Sequence, residues 1–203
     1  TNSGTPFALA VTPSTSSAGG LLARSAISSA TAWSASGARV SALSGLVRRS
    51  NVKVVLTGEG ADEVLGGYDI FKEAKVRHFW AQQPGSSWRP ALLKRLYPYL
   101  NLTSAQSAAY LKEFFGVGLE NPADPVFSHL PRWATTAQCK LFWSDDFRGR
   151  VEGSAVERLR DSLPARVGSW NRFNRGEYLE AKTLLPSYLL SAQGDRMLMA
   201  SSV

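Results

Sequence analysis

The run Lys53-Val54-Val55-Leu56-Thr57-Gly58-Glu59-Gly60-Ala61-Asp62-Glu63-Val64-Leu65-Gly66-Gly67-Tyr68 decides the fold. Val52 to Leu56 is short, rich in β-branched residues and almost wholly apolar, the composition of a buried parallel strand. Thr57 to Gly60 reads as a glycine-bearing turn, and Ala61 to Leu65 as the start of a helix. Gly66-Gly67 ends or kinks that helix, and Asp69 is placed to cap the next, which runs to about Trp80. A strand, a tight turn and a helix in this order are the opening of an α/β unit.

The turn has an unusual charge pattern. Gly58 and Gly60 let backbone N–H groups approach an anion with no Cβ in the way. A helix N-terminus adds partial positive charge, a common phosphate-binding arrangement. Yet the same loop carries Glu59, Asp62 and Glu63, which repel a phosphate unless a cation lies between. Mg2+, shared by a carboxylate and phosphate oxygens, resolves the conflict and predicts a metal-nucleotide site. The pattern alone leaves a plainer alternative open, in which the glycines serve only turn geometry and the acids only balance the helix dipole.

Outward from the turn the two sides differ. Residues 1–48 are dominated by Ser, Ala, Gly and Thr, carry only Arg24, Arg39 and Arg48 as charges, and read as a poorly ordered low-complexity segment. A transit peptide shares this acid-poor composition, whereas the start at Thr1 with no Met leads to the expectation of a fragment. Within this segment Val40, Leu43 and Val47 share one helical face, so Ser41 to Arg49 is expected to be helical. Residues 49–203 read as the folded domain. Helices are expected at Pro90 to Tyr97, Ser104 to Phe115, Ala134 to Phe142, Val151 to Leu163 and Glu177 to Leu190. The last carries Tyr178, Ala181, Leu185 and Leu189 as an apolar stripe, with a kink at Pro186. One strand and many helices cannot close a sheet, so the chain is expected to be part of an α/β domain.

Composition narrows the class further. With 44% hydrophobic and 10% aromatic residues, the 203-residue chain resembles a soluble globular domain, and no apolar run is long enough to span a bilayer. The single cysteine, Cys139, excludes a disulfide framework and reads as a small buried hydrophobe. The net charge of +7 fits nucleic acid, a phosphorylated ligand or mere solubility. Aromatics do not interleave with the cations, which argues against a single-strand-binding groove. His78 reads as a packing or surface residue and His129 as the maker of a local hydrogen bond. Two histidines and one cysteine, widely separated, argue against structural zinc.

Three strings carry a family resemblance. T-G-E-G-A-D-E-V-L-G-G-Y at Thr57 to Tyr68 closely resembles the signature of the synthetase domain of glutamine-hydrolysing asparagine synthetases. D-P-V-F-S-H-L-P-R-W at Asp124 to Trp133 and Y-L-E-A-K-T-L-L-P-S-Y-L-L-S-A-Q-G-D-R-M-L-M-A at Tyr178 to Ala200 are similar to two further segments of that family. The resemblance covers about Ser44 to Val203. It implies a Rossmann-like adenine nucleotide alpha-hydrolase (PP-loop) synthetase domain, mostly helical in this portion, cytoplasmic and homodimeric in the parent. It also implies site roles: Thr57, Gly58 and Gly60 for ATP, Glu59 for formation of β-aspartyl-AMP, Asp62 for Mg2+ and pyrophosphate, and Asp195 near the aspartate substrate. The implied reaction joins aspartate to the α-phosphorus of ATP, releasing pyrophosphate, after which ammonia from a glutaminase domain displaces AMP.

The chain departs from that family pattern in three places. Its N-terminus lacks the family's nucleophilic cysteine. The pyrophosphate loop S-G-G-L-D-S-S has only Ser17-Ala18-Gly19-Gly20-Leu21-Leu22 as its nearest counterpart, without the Asp or the Ser pair. After Val203 the family continues with an E-x-R-x-P-F-L-D string and a catalytic lysine. The expectation is a partial ligase domain that is inactive alone. A related amidotransferase or β-lactam synthetase is the enzymatic alternative, although Glu59 favours the asparagine branch over the tyrosine of the β-lactam one. The alternative of another class is a non-catalytic basic helical binding protein.

Overall fold

A computed structural model describes residues 40–97, 105–151 and 153–203 of the chain. Helix α1 covers residues 40–49, followed by α2 (Ala61–Leu65), α3 (Asp69–Ala81), α4 (Ala105–Gly116), α5 (Leu130–Ala137), α6 (Asp145–Arg150), α7 (Ala155–Asp161), α8 (Arg172–Leu179) and α9 (Arg196–Ser201). Tight 3-10 turns span Arg89–Arg95, Gln138–Phe142 and Val167–Ser169, and a π-helix spans Glu180–Asp195. The described residues divide into two compact units, one of residues 40–62 with Thr183–Val203, the other within Glu63–Lys182. No helix among the described residues is long and apolar enough to cross a membrane.

The larger unit is built on α3. Trp80 from α3, Leu93 from the 3-10 turn, Leu111 and Phe115 from α4, and Leu119 and Phe127 beyond it form the buried core. Burying each such side chain stabilises by about 1.5–3 kcal/mol. Arg77, with no exposed surface, lies one turn before Trp80. Its guanidinium donates to the carbonyls of Phe115 (2.9 Å), Phe127 (2.6 Å) and Val117, and sits 4.0 Å over the Phe127 ring. It thereby satisfies three carbonyls that neither α4 nor the loop behind it can pair. Burial lowers its pKa to about 10, with Glu73 pulling it back up, so it stays charged at neutral pH.

The expected strand is not formed. Residues 52–58 have no regular structure, and no strand occurs among the described residues. Val54 is 73% and Leu56 89% exposed. A strand is stable only when its backbone groups pair with a neighbour, and the described residues offer none. The expectation of a mostly helical portion holds for the described residues, whereas neither the α/β alternation nor a Rossmann arrangement is seen among them. Residues 1–39, including the Ser17–Leu22 string, lie outside the described residues; residues 40–49 are helical, in line with the apolar spacing.

Other boundaries shift for local reasons. Asp69 is the first residue of α3 rather than its cap; Tyr68 holds the cap position without a side-chain bond, while Asp69 pairs with Lys72 at 2.9 Å. The helix expected from Val151 to Leu163 is shortened to α7, which starts only after Gly153, at φ +69°, and ends at Asp161. Ser154 and Glu157 form a capping box there, which defines the new start. Cys139 is exposed, against expectation, because its 3-10 turn packs no core; its neighbours Leu141 and Phe142 are 77% and 92% exposed. In place of the helix expected from Glu177 to Leu190, α8 continues into the π-helix that contains Pro186. Proline removes an N–H and clashes with the carbonyl four residues back, and the wider turn of a π-helix eases that clash.

Candidate functional site

The glycine turn is the chain's strongest candidate. Residues 52–58 lead into the turn, and Thr57, Gly58 and Glu59 are all exposed. The Ala61 N–H donates to the Gly58 carbonyl at 3.1 Å and closes the turn. Gly60 has φ +93°, a conformation that side chains rarely tolerate, so glycine is required here. A Cβ at Gly58 would meet nothing within 4 Å, which leaves its backbone open to an approaching group. α2 follows directly and carries Asp62, also exposed. Glu59 and Asp62 thus flank one short glycine turn with their surfaces accessible.

The other residues singled out from the sequence fall elsewhere. Glu63 is 1% exposed, and its Oε1 accepts the Tyr68 O–H at 2.7 Å. It anchors the G-G-Y end of the motif and is no third ligand. Asp195 is exposed where the π-helix meets α9, without a side-chain cap bond. The same π-helix carries Leu185, whose Cδ2 would lie 3.6 Å from a Cβ at Gly60; in this way the third motif packs against the first. Among the described residues, no three or more His, Cys, Asp or Glu side chains are grouped to hold a metal ion. A Mg2+ ion held by one or two carboxylates and substrate phosphates needs no such cage, and the two accessible acids fit that mode.

A second polar centre lies in the larger unit, and sequence pattern did not find it. Arg132 grips Glu73 through two bonds of 2.5 and 2.7 Å. Burial works to lower the Arg132 pKa, but the hydrogen bond and charge of Glu73, with help from Glu180 and Asp69, raise it above its ordinary value. The Ser128 hydroxyl is 2.8 Å from His129 Nδ1, the local bond expected of His129. On the other side Nε2 lies 3.2 Å from Glu180 Oε1 without forming a hydrogen bond. Ser128, His129 and Glu180 resemble a nucleophilic relay in residue type, but all three are buried and no substrate carbonyl can reach Ser128. Their role is to tie the D-P-V-F-S-H-L-P-R-W string to the start of the π-helix. Glu73 and Arg132 are 59 residues apart in sequence, a separation that no local pattern signals.

The chain matches the asparagine synthase family over residues 24–203. It is 27% identical over 177 residues to Amidase chyE of Penicillium rubens, covering 80% of this chain and 25% of that protein. It is 25% identical over 177 residues to Amidase chry2 of Gibberella zeae, covering 80% of this chain and 24% of that protein. The chain therefore spans about a quarter of the length of these curated relatives. No solved structure matches it.

Proposed function

The chain belongs to the asparagine synthase family, and on that premise we propose that it supplies part of the nucleotide site of an ATP-dependent amidotransferase-like ligase, in its specific form an asparagine synthetase. Thr57, Gly58 and Gly60 receive the phosphates of ATP, Asp62 holds Mg2+, Glu59 assists formation of the acyl-adenylate, and Asp195 contributes to the carboxylate substrate. The observation that carries the reading is the turn itself: two accessible acids beside a glycine backbone that is open at Gly58 and left-handed at Gly60.

The physical case is one of charge. A triphosphate brought to this turn meets Glu59 and Asp62, and the repulsion turns to attraction only with a divalent ion between them. Such an ion supplies neutralisation of the charge that develops on departing pyrophosphate. Thr57 adds a hydroxyl, and the exposed glycine amides orient the phosphates. The reaction proposed is attack of a carboxylate oxygen on the α-phosphorus with loss of pyrophosphate, then displacement of AMP by ammonia from a glutaminase domain. The same reading places the parent in the cytoplasm as a homodimer. Without an S-G-G-L-D-S-S loop in the sequence, the chain by itself is expected to bind nucleotide but not to form amide.

A second reading has its own support. Both curated relatives are named amidases, so the amide chemistry served by this turn extends, on this reading, to carboxylates or amides other than those of aspartate. Calorimetric titration of ATP into the chain, with and without Mg2+, tests the shared claim. Binding that requires Mg2+ and is lost in Asp62→Ala supports it. Mg2+-independent binding of nucleic acid that weakens steeply with salt supports a basic helical binding protein instead.

A further inference from the structure

The strongest feature outside the glycine turn is a groove where α5, the 3-10 turn Gln138–Phe142 and α6 meet. It has a volume of about 490 Å³ and is lined by Ala134, Ala137, Gln138, Lys140, Leu141 and Arg148. That volume falls within the roughly 300–1,000 Å³ typical of small-molecule clefts. Ala134, Ala137 and Leu141 recur at the spacing of a single helical stripe and are all exposed, so the floor is apolar and faces solvent. The polar part of the lining is of one sign, Lys140 and Arg148, with no acid among the lining residues.

The cations are weakly committed. Arg148 reaches Asp145 Oδ1 at 3.5 Å, the Lys140 carbonyl at 3.5 Å and the Trp143 carbonyl at 3.3 Å, all at or beyond the outer edge of hydrogen bonding. A guanidinium has five donors, and these contacts hold none of them firmly. Asp145 is fully exposed, and the other nearby acid, Asp146, is taken by Arg150 at 2.8 Å. Lys140 Nζ hovers 5.6 Å from the Trp143 ring. An apolar floor bordered by two loosely held cations complements an apolar molecule that ends in an anion. We propose that this groove binds an aliphatic or aryl carboxylate, its body over Ala134, Ala137 and Leu141 and its carboxylate on Arg148 and Lys140. The site is independent of the nucleotide reading.

Titration of decanoate into the full chain, followed by calorimetry and by tryptophan fluorescence in native protein and Trp143→Phe, provides the test. Saturable binding is expected, with the fluorescence response lost in Trp143→Phe. Decanol, which keeps the apolar body and lacks the charge, is expected to bind about tenfold more weakly. Arg148→Gln and Lys140→Gln are each expected to weaken decanoate by about tenfold with unchanged circular dichroism; should Arg148→Gln disturb the turn, Lys140→Gln at its exposed position still decides. Equal binding of decanol and decanoate, unchanged affinity in a folded Lys140→Gln variant, or no saturable binding would overturn the proposal. So would concentration-dependent dimerisation abolished by Phe142→Ser, since the face would then belong to a second copy of the chain.

Discussion

Replacing Arg77 with Met preserves much of the side-chain length and apolar body while deleting the guanidinium. The three carbonyls it serves, those of Phe115, Val117 and Phe127, remain in place and lose their donor. A buried acceptor left unpaired costs about 1–3 kcal/mol. Three of them, partly relieved by local adjustment, give a loss of about 3–6 kcal/mol. A domain of this size has about 5–15 kcal/mol in total, so Arg77→Met is expected to unfold at far lower urea, or not to fold. Arg77→Lys keeps the charge but not the planar fork, and an intermediate loss of about 1–3 kcal/mol is expected. Urea melts followed by circular dichroism measure both. The reasoning is refuted if Arg77→Met falls within about 1 kcal/mol of the native chain, a difference typical of an ordinary substitution.

Three further outcomes follow from single positions. Gly66 has φ +70°, and a Cβ there would run into the Phe173 ring, so Gly66→Ala is expected to lower stability by about 1–3 kcal/mol in the same melts. Tyr68→Phe removes the donor to buried Glu63 and is expected to cost about 1–3 kcal/mol in thermal unfolding, with Mg2+-dependent ATP binding retained at the exposed acids. Burial, then the charges of Arg172, Arg77 and Arg175, hold the His78 pKa down to about 4 from 6.5. The unfolded chain therefore takes up this proton first as pH falls below 6.5, and stability declines until the folded group also titrates near pH 4. His78→Gln is expected to remove about 1–2 kcal/mol of the loss between pH 7 and pH 5; identical slopes for the two proteins in urea melts across that range would contradict the assignment.

What could be read in advance tracks the range of the forces involved. The turn at Gly58 to Gly60 was legible because its conformational demand is local, and φ +93° at Gly60 is the kind of geometry that only glycine meets cheaply. Helices α3 and α4 were legible for the same reason. Val52 to Leu56 reads as a strand because apolar, β-branched sequence reports a preference for sheet, while pairing depends on a partner strand that the described residues lack. Cys139 was misread since its burial depended on neighbours that turn outward. The periodic stripe from Tyr178 to Leu189 was blurred by the π-helix, whose wider turn changes which residues share a face. Of the three motif acids, Glu59 and Asp62 are accessible as a nucleotide site requires, but the diversion of Glu63 to Tyr68 was not foreseen. The Glu73–Arg132 grip and the Ser128–His129–Glu180 contacts join distant positions, and nothing in their local sequence announces them.

Amide chemical shifts of Gly58 and Gly60 during titration with ATP report on the central claim at the atoms concerned. Saturable shifts of both amides in the presence of Mg2+, small without it and absent with Asp62→Ala, are the expected result. Shifts that appear equally without Mg2+, or that occur elsewhere in the chain while Gly58 and Gly60 stay still, would contradict the account.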